Sequence, residues 1–398
     1  MPLNVPLCST KTVPLAVAVM LTAAACGGDS DDATAEPPPA GKGTGAVDLS
    51  GACPETVVVQ TQWLPTTSTE GALYTLLGDD TDIDTNRKRV TAPLISGGQN
   101  TGVKIELRAG GPALGYTPTS AQMYVDKSIH LGVLAGFDEG IQNSAKQPTL
   151  AVMSLMEKDP QMIFWDPQTY PDVHSIRDLG EAGIKVLYFG GDTYMEYLTG
   201  SGILDKGQVD GSGDGNPARF VAAGGKIASS GYATEDAYTY EKDVEDWGKP
   251  IESELVYDTG YPNYGPPLTI RPNDKGKLDN CLKKLVPVIQ QAQVDFLDRP
   301  KPVIKRVVEI AERYKGGDPI TEGSAAYGAE QLTKQGLVAN DAAGKDETLG
   351  NFDTERVQRL IGITEPIFKM QNKPIKNGLK ASDIVTNEFI DPEISLGR

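Results

Sequence analysis

The chain has 398 residues, 39% hydrophobic and 23% charged, which is enough apolar side chain to fill two or three compact units. Its 37 Lys and Arg against 54 Asp and Glu leave a net charge of −17, a balance that repels phosphate backbones and excludes nucleic acid as an expected partner. The two histidines, His130 and His174, leave few histidine-based metal or acid–base sites to consider.

At the N-terminus, Lys11 is the only charge before a mostly apolar run at 13–25. A membrane anchor needs about 20 such residues, so this run suits the h-region of an export signal. It closes on Leu21-Thr22-Ala23-Ala24-Ala25-Cys26-Gly27. Small residues before a cysteine resemble the lipobox of bacterial lipoproteins, where the thiol is acylated and becomes the new N-terminus. Ala23 stands where leucine is usual, and an ordinary cleaved signal is the alternative. The resemblance implies a signal peptide at 1–25, lipidation at Cys26, and a lipid-anchored protein on the cell membrane, facing the periplasm or the cell exterior. Residues 26–54, rich in Gly, Asp, Ala and Pro, cannot bury enough surface to offset their ordering entropy and are expected to form a flexible tether. Cys8 would leave with the signal, so Cys53 and Cys281 remain. In an oxidising compartment they can form a disulfide; alternatively Cys281, on the apolar stripe of its helix, is a buried thiol.

The body opens with Thr56-Val57-Val58-Val59-Gln60-Thr61, a β-branched run expected to be a buried strand. A loop through Trp63 leads to a helix at 69–77, capped by Ser68 or Thr69. Acidic turns, a strand at 103–107, a helix at 120–126 and a strand at 129–134 follow. Strands at 150–155 and 162–165, a connecting turn at 175–179 and a strand at 184–189 then lead to a helix through Tyr194, Tyr197 and Leu198. A further helix begins at Pro217 with Asn216 as its cap, and Glu254-Leu255-Val256-Tyr257 is again strand-like. Strands alternating with helices imply parallel β-α-β units, so the class is α/β. From Lys277 the chain is mainly helical. Leu278, Leu282, Leu285, Ile289, Ala292 and Phe296 form one stripe, in which Pro287 should kink or restart the helix. Val303, Val307, Ile310 and Tyr314 form a second stripe; Val357, Leu360, Ile361 and Phe368 form a third.

Catalytic motifs are scarce. Ser201 and Ser212 lie between glycines but not in a G-x-S-x-G elbow, and there is no P-loop, so any ATP hydrolysis would need a separate subunit. Asp80, Asp82, Asp84 and Asn86, and likewise Asp210, Ser212, Asp214 and Asn216, are spaced like calcium ligands. Thr91 and Val221 stand where the hand motif needs a bidentate glutamate, so solvated acidic turns are expected and no metal or other cofactor is assigned. Trp63, Tyr74, Tyr194, Tyr232 and Tyr238 lie in or beside loops that follow expected strands, where ligands of open α/β sheets gather. The turn Gly190-Gly191-Asp192-Thr193 offers backbone N–H groups at a helix start, but Asp192 argues against an anion there.

The strand ending in Gln60-Thr61-Gln62-Trp63-Leu64-Pro65 resembles that of bacterial ABC-transporter solute-binding proteins. It is most similar to the branch for thiamine-pyrimidine precursors, nitrate, sulfonates and taurine. Residues 208–241 add to this likeness, with Asp214-Gly215-Asn216-Pro217-Ala218-Arg219-Phe220, then Gly225-Lys226-Ile227 and Gly231-Tyr232-Ala233-Thr234-Glu235. The resemblance implies a type II periplasmic-binding-protein fold with a helical C-terminal part. Two lobes, 55–150 plus 256–398 and 151–255, would be joined by hinge strands near 151–155 and 255–257. It further implies a non-catalytic, lipid-anchored component of an ABC import system. Such a protein captures a small organic solute and delivers it to a permease and its ATPase subunit. Trp63, Tyr74, Tyr194, Asn216, Tyr232 and Thr234 would line the cleft. The Thr66-Thr67-Ser68-Thr69 run departs from relatives that carry charged or histidine residues there. Two alternatives remain: an enzyme of the pyrimidine-synthesis type on the same fold, which would use His130 or His174 with iron, and an exported lipoprotein that binds a protein partner.

Overall fold

A computed structural model describes residues 47–316, 319–341 and 345–397; the expectations for the signal segment and Cys26 lie outside the described residues. The segment expected to be tether is already folded where its description begins. Leu49 is fully buried, its N–H donates to the Thr101 carbonyl, and Cys53 is bonded to Cys281 across 228 residues. One leucine and one cysteine in a polar stretch are enough to dock it, because both enter the core of the following unit.

Strand β1 (Thr56–Gln60) buries its three consecutive valines and is followed by helix α1 (Thr67–Thr75). The α1 cap is Thr66, whose hydroxyl accepts from the Thr69 N–H, rather than Ser68 or Thr69. The residues expected as acidic turns contain strand β2 (Asp82–Asp84), hairpinned to β3 (Arg89–Ser96). With Ile83 its only apolar residue, β2 has no alternation to read. Then come β4 (Gln99–Arg108), α2 (Thr119–Val125), β5 (Leu131–Val133), α3 (Phe137–Gln142) and β6 (Leu150–Ser154).

The chain next builds β7 (Gln161–Trp165), α4 (Ile176–Glu181), β8 (Val186–Phe189), α5 (Thr193–Gly200), β9 (Val209–Gly213), α6 (Ala218–Ala222), β10 (Ala228–Tyr232), α7 (Asp236–Tyr238) and β11 (Glu252–Leu255). The expected turn at 175–179 is α4, capped by the Ser175 hydroxyl. After β12 (Pro267–Ile270) come α8 (Lys275–Asp298), α9 (Pro300–Tyr314), α10 (Glu322–Lys334) and α11 (Thr354–Met370). Helix α8 runs through Pro287 in one span, because its buried stripe continues on both sides of the proline and outweighs one missing hydrogen bond. None of the described helices is long and apolar enough to cross a membrane.

Two sheets result, with strand orders β2-β3-β4-β1-β5-β12-β6 and β11-β7-β10-β8-β9. In the first, β1 is parallel to both β4 and β5; in the second, β8 is parallel to both β9 and β10. Strand β6 pairs with β12 in the seven-stranded sheet, so the passage to the second sheet falls at 155–160, later than the expected 151–155. The return runs through 256–266. The helical C-terminus is not confined to the first sheet's side. The α11 stripe packs on α5 as well as α3, and Gly328 of α10 lies against the Thr234 carbonyl. Arg356 of α11 joins both passages, pairing with the buried Glu157 and donating to the carbonyls of Glu157, Pro262 and Asn263.

Candidate functional site

A cleft of about 400 Å³ opens between the sheets, of the size that small organic ligands occupy. Its walls are the loops at the carboxyl ends of parallel strands: Trp63 after β1, Gly111 and Tyr116 after β4, Gly136 and Asp138 after β5, Asp192 and Tyr194 after β8, and Tyr232 ending β10. The floor comes from the two passages, through Asp159 and through Tyr257, Tyr261 and Asn263. Parallel strands direct these loops to one edge, and at β1 the connections diverge to either side, which leaves a crevice.

Some aromatic side chains of the cleft are held out of the core, while Tyr194 and Tyr261 are buried in its wall. Six large apolar side chains are exposed among the described residues, and four of them, Trp63, Tyr116, Phe189 and Tyr232, line this cleft. Trp63 and Tyr116 pack at a tilt, with 5.8 Å between ring centres and 53° between ring planes. The Trp63 ring rests on Gly111, where φ is +54° and a Cβ would fall 2.4 Å from the ring, so only glycine fits beneath it.

The charge lining the cleft has one sign. Asp138, Glu139, Asp159 and Asp192 contribute carboxylates, and among the described residues no lysine, arginine or histidine lines it. Glu139 is committed to the fold, accepting from the Ser120 N–H and hydroxyl and from the Ala135 N–H. Asp138 accepts from the Tyr261 hydroxyl, and Asp159 from the Gln161 N–H. The Asn263 amide nitrogen donates to Asp159 at 2.8 Å and to Asp138 at 3.4 Å, which holds those two oxygens within about 6 Å of each other. Burial, then the neighbouring Asp138 charge, pushes Asp159 up to about 7 and Asp192 up to about 6; burial also raises Asp138 and Glu139. One buried polar atom on the cleft wall, the Asn263 Oδ1, has no hydrogen-bond partner, while the Tyr194 hydroxyl lies beside the Asp192 carboxylate and Ser230.

Of the six residues expected here, Trp63, Tyr194 and Tyr232 line the cleft. Tyr74 does not: α1 is wrapped by α8, α9 and α10, and Tyr74, two turns along it, is buried in the core. Asn216 is exposed, its Oδ1 taking the Ala218 N–H at the start of α6. Thr234 is buried under α10. Neither histidine reaches the cleft. The His130 Nδ1 accepts from the Val58 N–H, and the His174 N–H caps onto Asp178. The calcium-like spacings are used locally, Asp84 by the Asn86 and Arg87 N–H groups and Asp210 by Ser212 and Arg219. Among the described residues no cluster of His, Cys, Asp and Glu could hold a metal ion. The floor residues Asp138, Asp159, Tyr261 and Asn263 were not expected. No local signal marks them: Asp159 lies five residues beyond β6, with Glu157 and Lys158 between.

No protein-family model matches the chain, and no curated protein matches it. Solved structures do. The periplasmic aliphatic sulphonate-binding protein SsuA from Escherichia coli is 14% identical, with a TM-score of 0.54 over 87% of this chain and 95% of that one. The periplasmic nitrate-binding protein NrtA from Synechocystis PCC 6803 is 12% identical, with a TM-score of 0.51 over 84% and 87%. The alkanesulfonate-binding protein SsuA from Xanthomonas axonopodis pv. citri, bound to MOPS, is 14% identical, with a TM-score of 0.50 over 84% and 100%. The chain has the fold of a periplasmic binding protein. In that fold, the cleft of this chain lies between the two sheets, at the passages that join them.

Proposed function

We propose that the protein is the extracytoplasmic solute-binding component of an ABC import system, holding a small organic molecule between its two sheets without transforming it. The observation that carries this reading is the cleft itself: aromatic rings exposed from both sheets face a floor made by both passages. A solute that touches both walls stabilises the arrangement in which they meet, and so couples binding to a shape that a permease can recognise. Residues of the first sheet, at 55–154 and 267–270, and of the second, at 161–255, act as the two lobes, with 155–160 and 256–266 as hinges. Trp63, Tyr194 and Tyr232 are the ligand contacts carried over from the sequence. A lipid anchor at Cys26 would keep the protein beside its permease and ATPase subunit on the outer face of the membrane.

A thermal-shift panel of vitamins, pyrimidines, sulfonates, nitrate, amino acids and amines tests the reading. At least one class should raise the melting temperature, and Trp63→Ala should abolish that rise. If no class shifts the protein and native mass spectrometry of material from its own host shows no retained small molecule, the reading is wrong. Turnover of any panel member that is lost on changing His130 or His174 would favour the enzyme alternative instead.

A further inference from the structure

We propose that the cleft selects a protonated organic amine, its ammonium group seated among Asp138, Asp159 and Asp192 and its carbon body against the aromatic walls. This rests on the solute-binding reading and names the class of solute.

Three independent features of the cleft agree. The first is charge. Asp138 and Asp159 are held within about 6 Å of each other by one amide, and Asp192 faces them from the other sheet, with no cationic side chain among the described residues lining the space. Buried like charges persist when something else supplies the missing countercharge, and here a bound cation would do so. The second is an unpartnered polar atom. The Asn263 Oδ1 is an acceptor in a residue 97% buried, and its orientation is set because its nitrogen is spent on the two carboxylates. An ammonium N–H satisfies such an atom, whereas an anion offers it nothing. The third is the set of aromatic faces. Trp63, Tyr116, Phe189 and Tyr232 present rings, whose faces attract cations and cover the apolar part of an amine.

The same features disfavour an anion. Asp192 holds the N-terminal position of α5, and Asp138 and Glu139 occupy the first turn of α3, so both helix starts facing the cleft carry negative charge where an anion would have to sit.

Calorimetry and thermal shift on the full chain, using putrescine, spermidine and 2-phenylethylamine against nitrate and methanesulfonate, test the inference. At least one amine should bind, with neither anion binding at the same concentration. Asp192→Asn should weaken the amine tenfold or more without lowering the melting temperature of the free protein, since it removes an unneutralised charge. Asp159→Asn, read by melting temperature and affinity together, should do the same. Binding of nitrate or methanesulfonate in place of the amines overturns the inference, as does an amine affinity that both variants leave unchanged. Native mass spectrometry separates the two levels. A retained neutral or anionic solute would sink the amine assignment and leave solute binding standing. Failure of every probe together with no retained solute would remove both.

Discussion

Glu70 sits on α1 with its carboxyl wholly buried. One oxygen accepts from the Thr66 hydroxyl, and the other has no hydrogen-bond partner. Burial is the dominant cause that pushes its pKa from 4.5 up to about 8, with the Thr66 hydrogen bonds opposing it. The folded protein therefore binds a proton at Glu70 that the unfolded chain has released at neutral pH. The sign follows from linkage: where the folded state holds more protons, stability falls as pH rises. Glu70 should cost nothing near pH 4.5 and progressively more up to pH 8. At pH 7.5 the cost is three pH units at about 1.36 kcal/mol each, or about 4 kcal/mol. Glu70→Gln keeps the volume and the Thr66 contact while removing the titration. Chemical denaturation of both proteins at pH 5 and pH 7.5 should show nearly equal stability at the lower value and a variant more stable by a few kcal/mol at the higher one. The difference between the two proteins cancels the slopes of every other carboxyl. A difference that does not change with pH would refute the reasoning, because it would mean that Glu70 keeps its charge in the folded state.

Reducing the Cys53–Cys281 bond frees a loop of 228 residues, for which loop-closure entropy gives about 5 kcal/mol; the reduced protein should melt at a clearly lower temperature, and an unchanged transition would count against the bond's role. Arg356→Ala removes the guanidinium that pairs with buried Glu157 and spans both passages, and should destabilise by about 3–5 kcal/mol in denaturant titrations, against under 1 kcal/mol for an exposed pair. Amine affinity should fall as pH drops from 7.5 to 5.5, because Asp159, raised to about 7, and then Asp192, raised to about 6, take up protons beside Asp138 and Tyr261; calorimetry across that range would show a flat profile if these groups do not face the ligand. The ligand-free protein should show the opposite trend at these groups, gaining stability as they are neutralised at lower pH.

Local sequence carried the elements whose residues speak for themselves. The valine run of β1, the apolar stripes of α8, α9 and α11, and the loop that raises Trp63 are dictated by side-chain shape and period, which act within a few residues. The likeness around 60–65 and 208–241 pointed to the fold, and Cys53 and Cys281 were the two thiols left to pair. Elements stabilised by distant partners were not legible. The β2 strand exists because β3 pairs with it, α4 was too short to show a period, and β12 is ordinary in sequence yet joins β5 to β6.

The site divides in the same way. A tryptophan at a strand end is visible in one dimension, and so is the one-sided charge of the chain. Which tyrosine lines the cleft is not: Tyr74 and Tyr194 both follow a strand, sit on short helices and are buried, but α8, α9 and α10 close over α1, whereas α5 starts at the cleft. Nor could the sequence bring Asp138, Asp159, Asp192 and Asn263 together, since these residues lie on two sheets and two passages that meet only after the chain has crossed twice. Side-chain type and spacing act locally and were fixed by the sequence alone; burial and the convergence of charge depend on what packs from far along the chain, and only the tertiary structure decided them.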